Sequence, residues 1–181
     1  CYAQTVRLTG LLHDISLLNR LDESNDLFDL DTVNLSRLIQ DAVSESDEKL
    51  RSREMAIHTE IPDNLTIKGN HSLLYSIFRN LLDNAIAYAG TGTSVCIKCY
   101  RQDDDYLYFS FSDTGTGVPE MHLNRLFERF YRVDKGRSRK LGGTGLGLAI
   151  VKNAVLFHKG EISAKNRASG GLEFLFSLKK Q

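Results

Sequence analysis

Apolar residues recur early in the chain at intervals of three and four: Leu8, Leu11, Ile15 and Leu18, with Leu12 and Leu21 widening the stripe. That period predicts an amphipathic helix over residues 2–22, ended by the polar run LDESNDLFDLDT. Leu35, Leu38, Ile39, Ala42 and Val43 repeat the period and predict a second helix over residues 34–53. The pattern then changes. MAIHTEI and LTIKG alternate as strands do, and Pro62, Asp63 and Asn64 between them favour a turn, so a hairpin is expected.

Asn70 or Ser72 is placed to cap a third helix, in which Leu73, Leu74, Ile77, Leu81, Leu82, Ala85 and Ile86 hold the helical period as far as Gly90 and Gly92. SVCIKCYR and YLYFSFSD predict two longer strands joined through QDDD. A glycine-rich and then charged stretch leads to a helix over residues 144–158, and strands GEISAKN and LEFLFSLK close the chain. There is no internal repeat and no low-complexity tract. These elements fit an α/β fold: one antiparallel-rich sheet with helices on one face, a two-layer sandwich preceded by a long helix.

Composition narrows the class. With 181 residues, 41% apolar and 25% charged, the chain has the make-up of a soluble globular protein, one domain with a modest appendage. Acidic and basic residues balance at 23 each, so any electrostatic function must be local. No apolar run approaches the ~20 residues that cross a bilayer. The start, CYAQTVRLTG, lacks the regions of a signal peptide and has no methionine, which suggests a fragment. Cys1, Cys96 and Cys99 are too few for a disulfide framework and favour a reducing cytoplasm. Cys96 and Cys99 form a C-x-x-C, but on an alternating strand residues three apart face opposite ways and cannot share a metal or a bond.

Three stretches carry candidate chemistry. The strand YLYFSFSD runs into DTGTGVP, where Asp113 can accept a hydrogen bond from a flat ligand and Gly115 and Gly117 let the backbone approach it. Gly142, Gly143, Gly145 and Gly147 precede a helix, whose unpaired N–H groups attract phosphate. Just upstream, Lys135, Arg137, Arg139 and Lys140 could close over the same phosphates, with Gly136 and Ser138 keeping that lid flexible. Asn80 and Asn84, four apart on one helical face, offer amide oxygens to a hard cation such as Mg²⁺. Each stretch has a plainer reading alone: a turn, a solvated charge run, surface amides. A nucleic-acid patch is disfavoured because the basic run lacks interleaved aromatics, with Tyr131 alone nearby. The P-loop pattern does not occur, and the glycines at 142–147 follow RSRKL rather than a strand, which excludes a dinucleotide fingerprint.

Taken together and in order, NLLDNAIAY, DTGTGVP, LFERFYRVD and GGTGLGLAIVK resemble the N box, first glycine box, F box and second glycine box of the ATP-binding domain of bacterial sensor histidine kinases. The resemblance covers roughly residues 30–181 and implies a Bergerat sandwich that binds ATP and Mg²⁺. It implies that Asp113 binds the adenine amine, with Gly115 and Gly117 beside it, and that Asn84 holds Mg²⁺. Asn80 is implied to lie close to the transferred phosphoryl group. Gly143, Thr144, Gly145, Leu146 and Gly147 are implied to contact the phosphates. Tyr88, Tyr131 and Arg132 are implied to flank the nucleotide, Arg132 near the γ-phosphate, while Phe127 and Phe130 anchor the lid. Residues 1–28 resemble the second helix of the family's dimerisation domain, leaving 29–181 as the catalytic domain. The family's partners follow as expectations: a homodimer through the first helix, a response-regulator receiver domain, no nucleic acid, and a cytoplasmic location in a membrane-anchored parent.

Two departures stand out. Ala87 occupies the place where the N box commonly has lysine, which removes a phosphate contact. The phosphoacceptor motif of the family, a histidine, an acidic residue and then a proline, is missing from the chain, so the acceptor is expected upstream. His13 precedes Asp14 but no proline follows, and it reads as a solvated surface histidine. His58, His71, His122 and His158 read as surface or packing residues. Two alternatives remain beside the kinase: a gyrase-like or chaperone-like ATPase, and a degenerate ATP-sensing or dimerisation module.

Overall fold

The computed structural model describes residues 2–23, 28–134 and 143–181. The lid residues Lys135, Gly136, Arg137, Ser138, Arg139 and Lys140, together with Gly142 and Cys1, lie outside them. The expected first helix forms as α1 (Tyr2–Glu23). It is followed by β1 (Asp31–Asn34), α2 (Leu35–Glu45), α3 (Asp47–Ser52), β2 (Ala56–Glu60), β3 (Thr66–Gly69) and α4 (His71–Tyr88). The rest is β4 (Ser94–Gln102), β5 (Tyr106–Asp113), α5 (Glu120–Leu123), α6 (Gly147–Phe157), β6 (Ile162–Asn166) and β7 (Leu172–Lys179).

The five-stranded sheet has the order β2-β4-β5-β7-β6, with only the β2–β4 pair parallel. Side chains alternate along its strands, so Val95 and Ile97 of β4, Phe109 and Phe111 of β5, and Phe174 and Phe176 of β7 are buried on one face. The apolar sides of α2, α4 and α6 close over that face. Phe78 of α4 joins the layers, its ring edge-on to Phe109 at 5.7 Å and to Phe176 at 5.8 Å. This is the α/β sandwich expected from the pattern.

The hairpin expected from MAIHTEI and LTIKG does not form. The turn at Asp63 and Asn64 is present, with Asn64 at φ 55°, but its two strands go to different sheets. β2 pairs in parallel with β4, while β3 pairs antiparallel with β1, setting buried Val33 opposite buried Ile67. Alternation identifies a strand and is silent on its partner; β1 itself was hidden in a polar run. The single helix expected over 34–53 is two, α2 and α3, broken at Ser46, which is fully buried. The last helix begins at Gly147 rather than 144, because Gly145 takes φ +79°.

Of the two candidate caps for α4, Asn70 is the one used: its Oδ1 accepts from the Leu73 N–H at 3.0 Å. Cys96 and Cys99 are free and on opposite faces of β4, Cys99 against the core, and burial raises both thiols above their ordinary range. Among the described residues, no helix is long and apolar enough to cross a membrane.

Only part of the α1 stripe is covered. Leu18 is buried, and with Leu11 and Ile15 it packs on Leu146, Ala149 and Ile150 of the α6 region, while Tyr2, Val6, Leu8 and Leu12 are exposed. Asp22 also pairs with Arg129 at 2.5 Å. His13 is exposed, as expected.

His158 is 5% exposed and wedged under the Asn70 cap. Nε2 accepts from the Asn70 N–H at 3.1 Å, so Nδ1 carries the proton and donates to the Ala154 carbonyl at 2.8 Å. Burial lowers its pKa below the ordinary 6.5. Below that pH the unfolded chain takes up a proton that the folded ring resists, so the stability tied to the neutral ring is present above pH ~6.5 and is lost as pH falls. Urea unfolding between pH 7.5 and 5 should show a loss of up to about 1.4 kcal/mol per pH unit that His158→Gln removes.

Candidate functional site

One cavity of about 710 Å³ opens beside the C-terminal half of α4. α4 contributes Asn80, Asp83, Asn84, Ala87 and Tyr88; the end of β5 contributes Asp113, and the segment after it Thr116, Gly117 and Val118. Tyr131, Arg132, Gly143, Thr144, Gly145 and Gly147 form the opposite wall. The three stretches singled out in the sequence thus converge on one space.

Asp113 sits at the inner end, 6% exposed. Its Oδ1 accepts the Gly115 N–H at 2.9 Å and the Leu172 N–H at 3.3 Å, which leaves Oδ2 as the oxygen available to a ligand. Arg167 donates to the Asp113 carbonyl at 3.0 Å and fixes the strand end. Asn80 Nδ2 donates back to the Ser76 carbonyl at 2.8 Å, so its amide oxygen is turned to the start of α6. A Cβ on Gly147 would stand 2.9 Å from that oxygen, so the glycine leaves it open.

Thr144 Oγ1 donates to Asp14 of α1 at 2.8 Å. Arg132 donates through Nη2 to the Gly143 carbonyl. The Tyr131 hydroxyl meets His122 Nδ1, and the Arg125 guanidinium lies over the Tyr131 ring at 4.3 Å. The Phe130 N–H donates to the Gly145 carbonyl at 2.9 Å, tying the F-box segment to the glycines.

Three expected residues stand differently. Gly115 does not line the cavity: its Cα packs under the end of α4, where a Cβ would be 2.4 Å from the Ala89 carbonyl oxygen. The Leu146 side chain is buried against α1, leaving only its backbone near the site. Phe127 packs edge-on to Phe174 at 6.0 Å, whereas the Phe130 ring is 56% exposed; the lid they were expected to anchor lies outside the described residues. Asp14, Lys49, Arg53 and Asp83 also line the cavity. Asp83 lies within the stretch NLLDNAIAY, but nothing in the local sequence of Asp14, Lys49 or Arg53 marks them, because α1 and α3 reach the site only through tertiary packing.

Among the described residues no cluster of three or more His, Cys, Asp or Glu side chains could hold a metal. The free amide oxygen of Asn80, with Asn84 one turn on, suits instead a hard cation that brings most of its oxygen ligands with it, as Mg²⁺ does.

Residues 69–181 match the family of histidine kinase-, DNA gyrase B- and HSP90-like ATPases. The chain belongs to this family. Its match to the sensor-like histidine kinase SenX3 of Mycolicibacterium smegmatis is 36% identical over 97% of the chain and 46% of that protein. Its match to the signal transduction histidine-protein kinase BaeS of Escherichia coli is 35% identical over 97% of the chain and 38% of that protein. The chain therefore spans less than half the length of these curated relatives. Among solved structures, a mycobacterial sensor histidine kinase, MprB, superposes with a TM-score of 0.71 at 26% identity, covering 84% of the chain and 98% of that structure. The family expected from the four motifs, and its fold, are borne out.

Proposed function

We propose that the chain is the catalytic part of a sensor histidine kinase, which binds ATP with Mg²⁺ and passes the γ-phosphoryl group to a histidine of a separate segment. The observation that carries this reading is the convergence of Asp113, the Asn80–Asn84 pair and the Gly143–Thr144–Gly145 turn on one cavity. Asp113 Oδ2 accepts from the adenine amine, and Tyr88 and Tyr131 flank the base. Asn84 ligates the cation, whose part is to draw charge off the phosphates. The backbone at 143–147 donates to phosphate oxygens, the Thr144 hydroxyl joins it once it turns from Asp14, and Arg132 offsets charge as the γ-phosphorus leaves its bridging oxygen. In the transfer that P–O bond breaks, a P–N bond to the acceptor imidazole forms, and ADP is released. The protein's share is positioning and neutralisation.

Asn80 separates this reading from an ATPase of the gyrase or chaperone kind. Water attack needs a base, and an amide cannot take the proton. We assign α1 to a dimerisation domain on the strength of its uncovered Tyr2, Val6, Leu8 and Leu12, and the response regulator and cytoplasmic location follow from the same reading. Incubation with γ-labelled ATP and a protein carrying the acceptor helix should yield acid-labile label on that helix. Steady phosphate release without label, abolished by Asn80→Ala, would reverse the assignment.

Asp14 holds the Thr144 hydroxyl and places a carboxylate at the phosphate end of the cavity. Asp14→Ala should free the hydroxyl and remove a repulsion of about 1 kcal/mol, tightening ATP by about 5-fold in calorimetric titration.

A further inference from the structure

We propose that Lys49 and Arg53 are a second cationic arm of the cavity, one that holds the polyphosphate of the nucleotide against α4; this rests on the ATP-binding reading above. A triphosphate is a polyanion, yet the described wall carries four carboxylates, Asp14, Asp83, Asp113 and Asp134, against three cations. One of those, Arg132, lies on the glycine side and already donates to Gly143. The other two come from α3 and its C-cap, on the opposite wall.

Their placement is regular. Lys49 and Arg53 are four residues apart and so share a helical face, ~6 Å apart along the axis. Lys49 Nζ stands 3.7 Å from Asp83, and Arg53 Nη2 reaches the Ala87 carbonyl at 3.4 Å. Asp83 and Ala87 are themselves one turn apart, so the two cations run alongside the turn of α4 that bears Asn84. Each has capacity to spare. Lys49 shares Asp83 with Arg79, whose Nε lies 3.4 Å from the same oxygen, and buried Arg53 Nε has no hydrogen-bond partner among the described residues. Ala87, which lines the same cavity, ends at its Cβ and so sets no longer side chain beside Arg53.

The test is calorimetric titration of the whole chain with ATP and with adenosine, at low and moderate salt. Lys49→Gln with Arg53→Gln should weaken ATP by 10- to 100-fold, leave adenosine within 2-fold and flatten the salt dependence. Adding Ala87→Lys should recover part of the loss, because it returns a cation to the same wall. Arg53→Lys and the single Lys49→Gln guard against misfolding: the first should keep most of the affinity, and the second, at a half-exposed side chain, should weaken ATP several-fold. Equal losses for ATP and adenosine would assign the pair a structural role and overturn the proposal, as would unchanged ATP binding in the double variant. If the unaltered chain bound neither ligand, the nucleotide reading itself would fall and this proposal with it.

Discussion

Asp113→Asn is expected to weaken ATP by roughly 30- to 100-fold while leaving the fold intact. The two roles of the carboxylate are carried by different oxygens. Oδ1 serves the protein, accepting the N–H groups of Gly115 and Leu172, and an asparagine Oδ1 can accept both in the same way. Oδ2 serves the ligand, and there the substitution sets an NH₂ donor against the donor on adenine. Losing a hydrogen bond to a charged group costs about 1.5–3 kcal/mol, and the facing donors add to it. The reversal of donor and acceptor gives a sharper readout than a loss. Inosine triphosphate presents a carbonyl where ATP has the amine, so the variant should prefer it to ATP, opposite to the unaltered chain. Competition calorimetry checks both, with the thermal midpoint expected to stay within ~2 °C. An unchanged preference would place the base elsewhere.

What was legible in advance follows from what local sequence encodes. Helical period gave α1 and α4 nearly to the residue, but left Asn70 and Ser72 both open as the cap of α4, which only the structure assigns to Asn70. Strand alternation gave β4, β5, β6 and β7 because each buries one face in the same core. The pairing of β3 with β1 was not legible: its cause is the opposition of Val33 and Ile67, thirty-four positions apart, and β1 is too short and polar to show a period. The break at Ser46 was missed as well: residues 44–49, SESDEK, interrupt the apolar stripe, but polar residues alone do not end a helix, and Leu50 resumes the period. At the site, Asp113, Asn80, Asn84 and Thr144 could be found because their chemistry is coupled to a local glycine or helix pattern. Lys49, Arg53 and Asp14 are ordinary charged residues on ordinary helices, and only the packing of α3 and α1 brings them to the cavity. The glycines show the same division. The motif made Gly115 look like a ligand contact, whereas its work is to let the segment after β5 pass close to Ala89.

Gly171→Ala should have the largest effect on the fold of any glycine around the site, and it should disable the site as well. Gly171 has φ +97°, a conformation that L side chains rarely adopt, and a Cβ there would lie 1.9 Å from the Asp113 carbonyl oxygen and 3.0 Å from Oδ1. The obstruction is backbone, held by Arg167 through its guanidinium, so it cannot swing aside as a flexible side chain would. Left-handed strain and displacement of the β5–β7 pairing together should cost ~3 kcal/mol, which for a chain of this size lowers the thermal midpoint by ~6–12 °C. Because Leu172 donates to Asp113 Oδ1, the same shift should pull the carboxylate out of register with the base and lose ATP at temperatures where the chain is still folded. Gly143→Ala is the contrast: among the described residues nothing lies within 4 Å of its Cβ position, and the thermal midpoint should not move. Equal midpoints for the two variants would show that β5 and β7 can part at this point without cost, and that Asp113 is not held by the strand that follows Gly171.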